Sequence, residues 1–420
     1  MTEELAKVGE LLDAGDVGGA VRLLRFTAER APLADVAALL NRAATAAGFD
    51  GLVAATGAVL ADPGNPQALY DTGYECIERG VPGIAVPFLT AALAQAPGQR
   101  AVITELVAAY EDGYRYGDAV AVLEANQAHL VDWPDRYLLA FNCLMSGDVD
   151  KARRYAGALS TPDDDWAHGR RRLDGMLARV DLVPGPLDRQ ALRGWHFVLN
   201  AAILTALSPY GFEDGMNGRY AFIQDSPAEC HHTLHRLGTL LTALDRRSSS
   251  VSLLPDRSSR ILGLAAATML HLPAQPWQPG RGDTVIVAYD LSALDGDVLA
   301  PLRERAGGEL LVEHASCWTG PPPVAADVTG LMHQSIVEPW GERLLATRDG
   351  EPERAPADDR PEQDIAADIV AAAPTDEAAH GDTEADLLSF AAAVAGAWPS
   401  SEPHRDRMWS PGPVPSSYFT

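Results

Sequence analysis

A short turn returns at a nearly constant spacing through the first part of the chain. It reads AGDVGGA, AGFDGLV, RGVPGIA, GYRYGDA and SGDVDKA. The residues that end it are Ala20, Val53, Ala85, Ala119 and Ala152, in steps of 33, 32, 34 and 33 residues. Apolar residues recur at three- and four-residue steps around each turn, which is typical of amphipathic helices. A period of this length predicts stacked helical hairpins, because one hairpin cannot cover its own apolar face.

Glycine and proline mark the ends of the predicted helices. A helix often ends at a residue in the left-handed conformation, which glycine adopts at little steric cost. Proline follows the second helix at Pro32, Pro63 and Pro97, where it cannot donate the hydrogen bond that would continue the helix. The fourth unit replaces the turn glycine with Tyr114, beside Gly113. The sequence therefore predicts about five hairpins over residues 1–163.

These hairpins resemble the tetratricopeptide repeat family. The third unit has small and apolar residues at the signature positions of that family, namely Leu69, Gly73, Cys76, Gly80, Ala85, Leu89, Ala92 and Pro97. The resemblance implies a right-handed superhelix whose groove, lined by the first helix of each hairpin, binds a peptide or a helix of another protein. The corresponding groove residues are Lys7, Asn41, Arg42, Tyr70, Tyr74, Tyr110 and Asn142. They do not form the basic clamp with which some members bind a carboxylate, and the alternative is that these helices only pack against the rest of the chain.

The period is lost after a predicted linking helix at residues 164–185. The strand-like segments SVSLLP, TVIVAYDL and ELLVEHASCW then alternate with helical segments. This alternation favours βαβ units and a mainly parallel sheet. The predicted fold class is therefore α + α/β, with a helical-hairpin superhelix followed by a small α/β domain at residues 186–346.

Three loops of the α/β domain follow strands, namely PDRSSR, YDLSALDGD and SCWTGPPP, and the candidate residues come from the first two. Ligands of parallel sheets bind beyond the carboxyl ends of the strands, and the free N–H groups of a helix start suit an anion. The candidate ligand-binding residues are Asp256, Arg257, Ser258, Ser259, Arg260, Asp290 and Ser292. Helix capping alone also accounts for Asp256 and Ser258. Residues 226–318 are similar to the phosphoribosyltransferase fold in their order of elements, but the phosphate loop of that family is missing, which implies a non-catalytic relative.

The segment YGFEDGMNGRYAF, at residues 210–222, has more specific chemistry than a connector requires. One hypothesis is a lid that closes over a ligand with Glu213, Asp214 and Arg219. The alternative is an ordered loop whose aromatic residues pack into the core, namely Tyr210, Phe212, Tyr220 and Phe222.

Cysteine and histidine occur together at two places. ECHHTLH places His231 and His235 one helical turn apart beside Cys230, and HASC contains His314 and Cys317. Thiolate and imidazole suit zinc, but no second pair follows at a recognised spacing. The common nucleotide and hydrolase motifs do not occur. The sequence therefore predicts no metal and no cofactor.

The net charge of the chain and the spacing of its cysteines limit the possible partners and the cellular compartment. A net charge of −25 repels nucleic acid and anionic membranes, which favours a protein or a small molecule as the partner. Apolar stretches are shorter than the roughly 20 residues that a bilayer span requires. The four cysteines are widely spaced and the opening MTEELAKVGE has no apolar run, so we expect a reducing cytoplasm.

The last part of the chain is acidic. Residues 348–420 contain 15 acidic residues and five arginines, a composition that predicts a disordered acidic tail over residues 347–420. The apolar island EADLLSFAAAVAGAW is a candidate amphipathic helix that docks in a groove, such as that of the superhelix itself. The alternative is a solvated tail with transient helicity.

Three functions are compatible with this organisation. The first is a protein-interaction adaptor with an attached α/β domain of regulatory role. The second is an enzyme that acts on an anionic small molecule, such as a phosphorylated sugar or a nucleotide, while the repeats recruit a protein. The third is an architectural protein whose repeats enlarge a homo-oligomer interface.

Overall fold

The computed structural model describes residues 3–210, 215–305, 307–346, 352–373, 382–402 and 404–415. The chain divides into two compact units, Met1–Asp174 and Gly175–Thr420. The division falls within one long helix, Asp164–Val180. Across the described residues, no helix is both long enough and apolar enough to cross a bilayer.

The first unit consists of consecutive helical hairpins. Their helices, in pairs, are α1 (Glu3–Asp13) and α2 (Val17–Thr27), α3 (Leu33–Ala47) and α4 (Asp50–Ala61), α5 (Pro66–Ile77) and α6 (Pro82–Gln95), α7 (Arg100–Asp112) and α8 (Tyr116–Ala125), and α9 (Tyr137–Met145) and α10 (Val149–Gly157). The helix that contains the division, Asp164–Val180, is α11. The predicted series of helical hairpins is confirmed.

The turn between the two helices of each hairpin has one residue with a positive φ. The φ values are 80° at Gly15, 74° at Gly48, 67° at Gly80, 54° at Tyr114 and 89° at Gly147. Tyr114 therefore adopts the left-handed conformation that glycine provides elsewhere, although a side chain makes this conformation costly. The packing of the hairpin, and not the preference of this residue, sets its conformation.

Close approach of the two helices explains the small residues of the repeat. Ala20, Ala85 and Ala119 are at most 1% exposed. At Gly73 of α5, a Cβ atom would lie 2.4 Å from Cγ of Leu89 on α6. A side chain at this position would require Leu89, or the helix that carries it, to move.

The second unit contains one parallel sheet. Its strands are β1 (Ile203–Leu204), β2 (Tyr220–Gln224), β3 (Ser250–Leu253), β4 (Ala274–Pro276), β5 (Thr284–Ala288), β6 (Glu309–Cys317) and β7 (Val328–Val337). The strand order is β1-β7-β6-β5-β3-β4, and β2 also pairs with β7. All of these pairs are parallel, which confirms the predicted sheet. A separate antiparallel pair consists of β8 (Arg343–Ala346) and β9 (Pro352–Ala355).

Helices cover the sheet, and hydrophobic side chains fill both of its faces. The helices are α12 (Leu192–Asn200), α13 (Pro227–Ala243), α14 (Arg257–Met269), α15 (Gly296–Arg303), α16 (Glu362–Ala371) and α17 (Glu384–Val394). Successive residues of a strand point to opposite faces. Val285 and Val287 of β5 thus belong to a core with residues of α13 and α14, whereas Ile286 belongs to a second core with Leu299 of α15.

The prediction of a disordered tail is wrong for residues 352–373, 382–402 and 404–415. Both α16 and α17 lie in this part of the chain, and α17 confirms the predicted amphipathic helix. The buried tail residues in the core on the α13 face are Ile365, Ala366, Ile369, Leu387, Phe390, Ala391, Val394 and Trp398. The tail therefore completes the core of the second unit.

Charges of the tail also have buried partners. Asp382 pairs with Arg193, and its Oδ2 atom lies 3.3 Å from Nη1 of Arg236, whose side chain is 1% exposed. Nη1 of Arg405 lies 2.8 Å from Oδ1 of Asp327. The composition of the tail predicts disorder because it describes the tail on its own. In the folded chain, apolar surface and charges of the tail are buried against residues far away in the sequence.

Candidate functional sites

Some of the predicted groove residues form contacts between neighbouring helices of the first unit. Nδ2 of Asn41, on α3, donates hydrogen bonds to the carbonyl oxygen of Val53 (2.9 Å) and to Oγ1 of Thr56 (2.8 Å), both on α4. Arg42 is exposed and forms an ion pair with Asp13. Asn41 is thus engaged within its own hairpin.

Asn142 on α9, like Asn41, forms hydrogen bonds within the first unit. Its side chain is fully buried and donates hydrogen bonds to the carboxylate of Glu111 and to the carbonyl oxygen of Leu138. Burial raises the pKa of Glu111 to about 7, against the opposing effect of the Asn142 hydrogen bond. The pair places a titratable group between two helices.

Lys7 and Tyr110 differ in exposure. Lys7 is exposed on α1. Tyr110 on α7 is buried at 9% exposure, with the guanidinium carbon of Arg115 4.7 Å from the centre of its ring. Tyr110 therefore offers little surface to a partner.

Tyr70 and Tyr74 form an accessible aromatic pair on α5. Their ring centres are 6.3 Å apart, the rings are inclined by 21°, and Tyr74 is 40% exposed. Burial and the negative charge of Glu105, on the adjacent first helix α7, raise the pKa of Tyr70. Burial and Glu78 in turn raise the pKa of Glu105. Stacked tyrosine rings and an acidic group thus lie together on the first helices of two neighbouring hairpins.

The loops predicted to bind an anion lie where the direction of the sheet connections reverses. The connection from β3 through α14 leads to β4, at one edge, whereas the connection from β5 through α15 leads to β6, on the other side. Crevices at such positions are the usual ligand sites of parallel sheets. The two predicted loops follow β3 and β5, the neighbouring strands between which this reversal falls.

The polar groups at the start of α14 have partners within the protein. Asp256 caps the helix by accepting the N–H of Ser259 at 2.8 Å. Oγ of Ser259 accepts the N–H of Tyr289 at 3.0 Å. Oγ of Ser258 donates to Oε1 of Glu338 at 2.7 Å and accepts Nε1–H of Trp340 at 2.9 Å.

The two arginines of this loop contact the tail. Nη2 of Arg257 donates to the carbonyl oxygens of Asp358 (2.8 Å) and Arg360 (3.1 Å). Nε of Arg260 lies 2.8 Å from Oε2 of Glu362 at the start of α16. Both arginines thus contact the tail, and the ligand-binding role of these residues stays a prediction.

Asp290 and Ser292 form a small turn at the end of β5. Oδ1 of Asp290 accepts the N–H of Ser292 at 2.8 Å and its hydroxyl at 2.6 Å. Oδ2 lies 3.6 Å from Nε2 of His333 on β7. Burial raises the pKa of Asp290, but the nearby imidazole of His333 and the hydrogen bonds from Ser292 outweigh burial and lower the pKa overall.

The proposed lid is described only in part, since Glu213 and Asp214 lie outside the described residues. Arg219 is 1% exposed, and its Nη1 donates to the carbonyl oxygen of Pro415 at 3.2 Å. Burial, followed by the charge of Arg407, lowers the pKa of Arg219 to about 10. The alternative, in which the aromatic residues pack into the core, is wrong for Tyr210 and Phe222, which are 71% and 60% exposed.

A buried polar cluster joins residues that the sequence analysis considered separately. Nε2 of His314 on β6 lies 3.0 Å from Oδ2 of Asp225 and 3.8 Å from Sγ of Cys230 on α13. Sγ of Cys230 is 3.5 Å from the same oxygen of Asp225, to which the hydroxyl of Tyr289 donates at 2.6 Å. Burial and the charge of Asp225 raise the pKa of both Cys230 and Tyr289.

The sequence signal for this cluster was incomplete. Cys230 and His314 are 84 residues apart, and the prediction grouped Cys230 with the neighbouring His231 and His235 instead. The helical spacing of those histidines places them away from the cluster: His231 bonds the carbonyl oxygen of Ile369, and His235 is 55% exposed. An acidic residue that directly follows a strand, as Asp225 does after β2, was the available signal.

Comparison with known proteins assigns no family to this chain. No family model matches the sequence, and no curated protein matches it significantly. Solved structures that match include a mutant of MamA, MamA AMB-1 and MamA MSR-1, at 21%, 21% and 18% identity. They cover 36%, 36% and 41% of this chain and 91%, 92% and 94% of the MamA chains, with TM-scores of 0.24, 0.24 and 0.25. These values carry no conclusion about function, and nothing in them supports the phosphoribosyltransferase-like part of the resemblance.

Proposed function

We propose that this protein is a cytoplasmic protein-interaction adaptor, in which the first helices of the hairpins bind a segment of another protein. The observation that carries the proposal is the stacked pair of Tyr70 and Tyr74, because an exposed aromatic pair on a stable helix binds a partner at a low cost in side-chain entropy. We propose a supporting, regulatory role for the sheet unit.

The chemistry around the pair specifies the partner more closely. Glu105 lies near enough for its charge to raise the pKa of Tyr70. The first unit contains 25 acidic and 15 basic residues, a net charge of −10. Aromatic faces and carboxylates both attract lysine and arginine. We therefore propose a partner segment with basic and apolar side chains.

A peptide-display selection against the full chain tests this proposal. We expect enriched peptides to contain Lys or Arg next to apolar residues, and Tyr74→Ala to weaken their binding about tenfold, since a buried aromatic contact contributes on the order of 1.4 kcal/mol or more. Fluorescence anisotropy of a labelled peptide measures the dissociation constant. Phe26→Ala is the matched control, because Phe26 is 64% exposed on α2, the second helix of its hairpin. Equal binding by Tyr74→Ala and the parent chain would contradict the proposal.

The enzyme hypothesis has less support from the structure. Arg257 bonds two carbonyl oxygens of the tail and Arg260 pairs with Glu362, so both guanidinium groups already have partners within the protein. The architectural hypothesis requires self-association, for which sedimentation of the full chain is the direct measurement.

A further inference from the structure

Three different metal-ligating side chains converge inside the sheet unit. They are the carboxylate of Asp225, which follows β2, the thiol of Cys230 on α13 and the imidazole of His314 on β6. Cys230 and His314 are fully buried, and Asp225 is 2% exposed. Within the part of the chain that the structure describes, this is where such side chains converge closely enough to bind one metal ion together.

The distances within the cluster match one face of a zinc tetrahedron. The three edges are 3.0 Å from His314 Nε2 to Asp225 Oδ2, 3.5 Å from Cys230 Sγ to the same oxygen, and 3.8 Å from Sγ to Nε2. A tetrahedral ion with Zn–S of about 2.3 Å and Zn–N and Zn–O of about 2.0–2.1 Å holds its ligand atoms about 3.3–3.6 Å apart. Binding therefore requires shifts of only a few tenths of an ångström.

Neighbouring groups hold the ligands in place. Nδ1 of His314 lies 2.9 Å from Oγ1 of Thr233, so that Nε2 is the ring nitrogen left to face Asp225 and Cys230. The hydroxyl of Tyr289 donates to Oδ2 of Asp225, and the N–H of Ser226 donates to Oδ1. Partners that fix the outer nitrogen of a histidine and the oxygens of a carboxylate are typical of metal sites.

The local charge favours a cation. Among the described residues, no arginine or lysine forms an ion pair with Asp225, whose carboxylate instead contacts the imidazole of His314. Glu229 and Glu338 add negative charge that reaches the thiol of Cys230. A buried carboxylate needs a compensating charge, and Zn²⁺ bound to one carboxylate and one thiolate leaves no net charge on the ion and these two ligands.

The same geometry argues against a nucleophilic role for Cys230. In a cysteine–histidine–aspartate triad, the thiol and the carboxylate contact different nitrogens of the imidazole. Here both contact Nε2 of His314, while Nδ1 contacts Thr233. A fully buried thiol is also inaccessible to a substrate.

We propose that Asp225 Oδ2, Cys230 Sγ and His314 Nε2 bind one Zn²⁺ ion, a site that joins α13 to β6 and to the end of β2. Binding forms a Zn–S bond and releases the thiol proton to solvent. Zn–N and Zn–O bonds replace the hydrogen bond between Nε2 and the carboxylate, and the imidazole then carries its proton on Nδ1, which donates to Oγ1 of Thr233. Tyr289 is a positioning residue that orients Asp225.

Metal analysis of the full chain tests the proposal. The protein is stripped with a chelator, loaded with Zn²⁺ or Co²⁺, and measured by mass spectrometry of the metal content and by absorption. We expect one metal ion per chain, a Co²⁺–thiolate charge-transfer band, and an increase in the melting temperature of the sheet unit. Cys230→Ser is expected to lose the band. Cys143→Ser, which changes another fully buried thiol in the first unit, is expected to retain it.

Tyr289→Phe keeps the design testable if Cys230→Ser does not fold. This variant retains all three ligands, so we expect it to keep the thiolate band but to bind Co²⁺ about 10–100-fold more weakly. Absence of stoichiometric metal in the folded parent chain would overturn the proposal. A thiolate band that survives in folded Cys230→Ser would overturn it too.

Discussion

The two units differ in how far apart in the sequence their stabilising contacts lie. In the repeats, Asn41 bonds Val53, 12 residues further along the chain. In the sheet unit, Arg193 bonds Asp382, 189 residues away. A repeat array is stabilised mainly by contacts between neighbouring repeats. The sheet unit, in contrast, is complete only when its last segments are in place. Substitutions in those segments therefore test the stability of the sheet unit separately from that of the repeats.

The largest expected effect is at Trp398. Its side chain is 1% exposed in the core, and its Nε1–H donates to the carbonyl oxygen of Asp327 at 2.8 Å. We expect Trp398→Ala to lower the free energy of unfolding of the sheet unit by about 3–5 kcal/mol, measured by calorimetry of the full chain. Trp409→Ala is the control, since Trp409 is 41% exposed in the same tail. Similar small losses in both variants would mean that the tail does not belong to the core.

A slightly smaller effect is expected at Asp382. Asp382→Asn removes the charge that pairs with Arg193 and Arg236, and we expect a loss of about 3 kcal/mol because two buried guanidinium groups are left unpaired. Urea denaturation of the full chain measures it. Asp359→Asn changes an exposed tail acid and is expected to leave stability unchanged. An equal response of the two variants would contradict the buried ion pair.

An effect of intermediate size concerns the pH dependence of the repeats. Burial raises the pKa of Glu111 from 4.5 to about 7, so between these values the folded state holds a proton that the unfolded state has lost. Stability from this group is therefore greatest at low pH and decreases as the pH rises to about 7. We expect Glu111→Gln to stabilise the first unit by about 2 kcal/mol at pH 8 and by little at pH 4.

Thermal unfolding of the parent and Glu111→Gln chains at several pH values provides the measurement. Glu10→Gln is the control, because Glu10 is exposed on α1. A gain for Glu111→Gln that does not vary with pH would show that proton binding at this site is not its cause.

The smallest expected effect separates backbone conformation from packing in the repeats. Gly48 has a φ of 74°, and a Cβ atom at this position would have no neighbouring atom within 4 Å, so Gly48→Ala adds only the cost of the left-handed conformation, about 1–2 kcal/mol. Gly117 in α8 also has open space around it but an ordinary φ. Gly117→Ala is expected to stabilise by about 0.5–1 kcal/mol. Circular dichroism during urea denaturation distinguishes the opposite signs, and a loss in both variants would refute the turn argument.

Features that depend on residues close together in the chain could be predicted from the sequence, whereas contacts between distant segments could not. The positions with positive φ, from Gly15 to Gly147, have the steps that the turn motif predicts, because each turn depends on residues close to it in the chain. The predicted strands and the loops at the reversal point of the sheet could also be located, since both depend on local alternation. Engagement of Arg257 and Arg260 by the tail could not be predicted, because it depends on segments about 100 residues further along the chain.

Local sequence alone determined the helical hairpins, their period and the alternation of strands and helices, because turn conformation and amphipathic spacing act over a few residues. Only the tertiary structure decided that the acidic tail folds, and that Asp225, Cys230 and His314 meet in one buried cluster. The physical reason is that burial and charge pairing depend on which surfaces become neighbours after folding. A tail that is too polar to fold alone is stable when the rest of the sheet unit supplies apolar surface and oppositely charged partners for its buried charges.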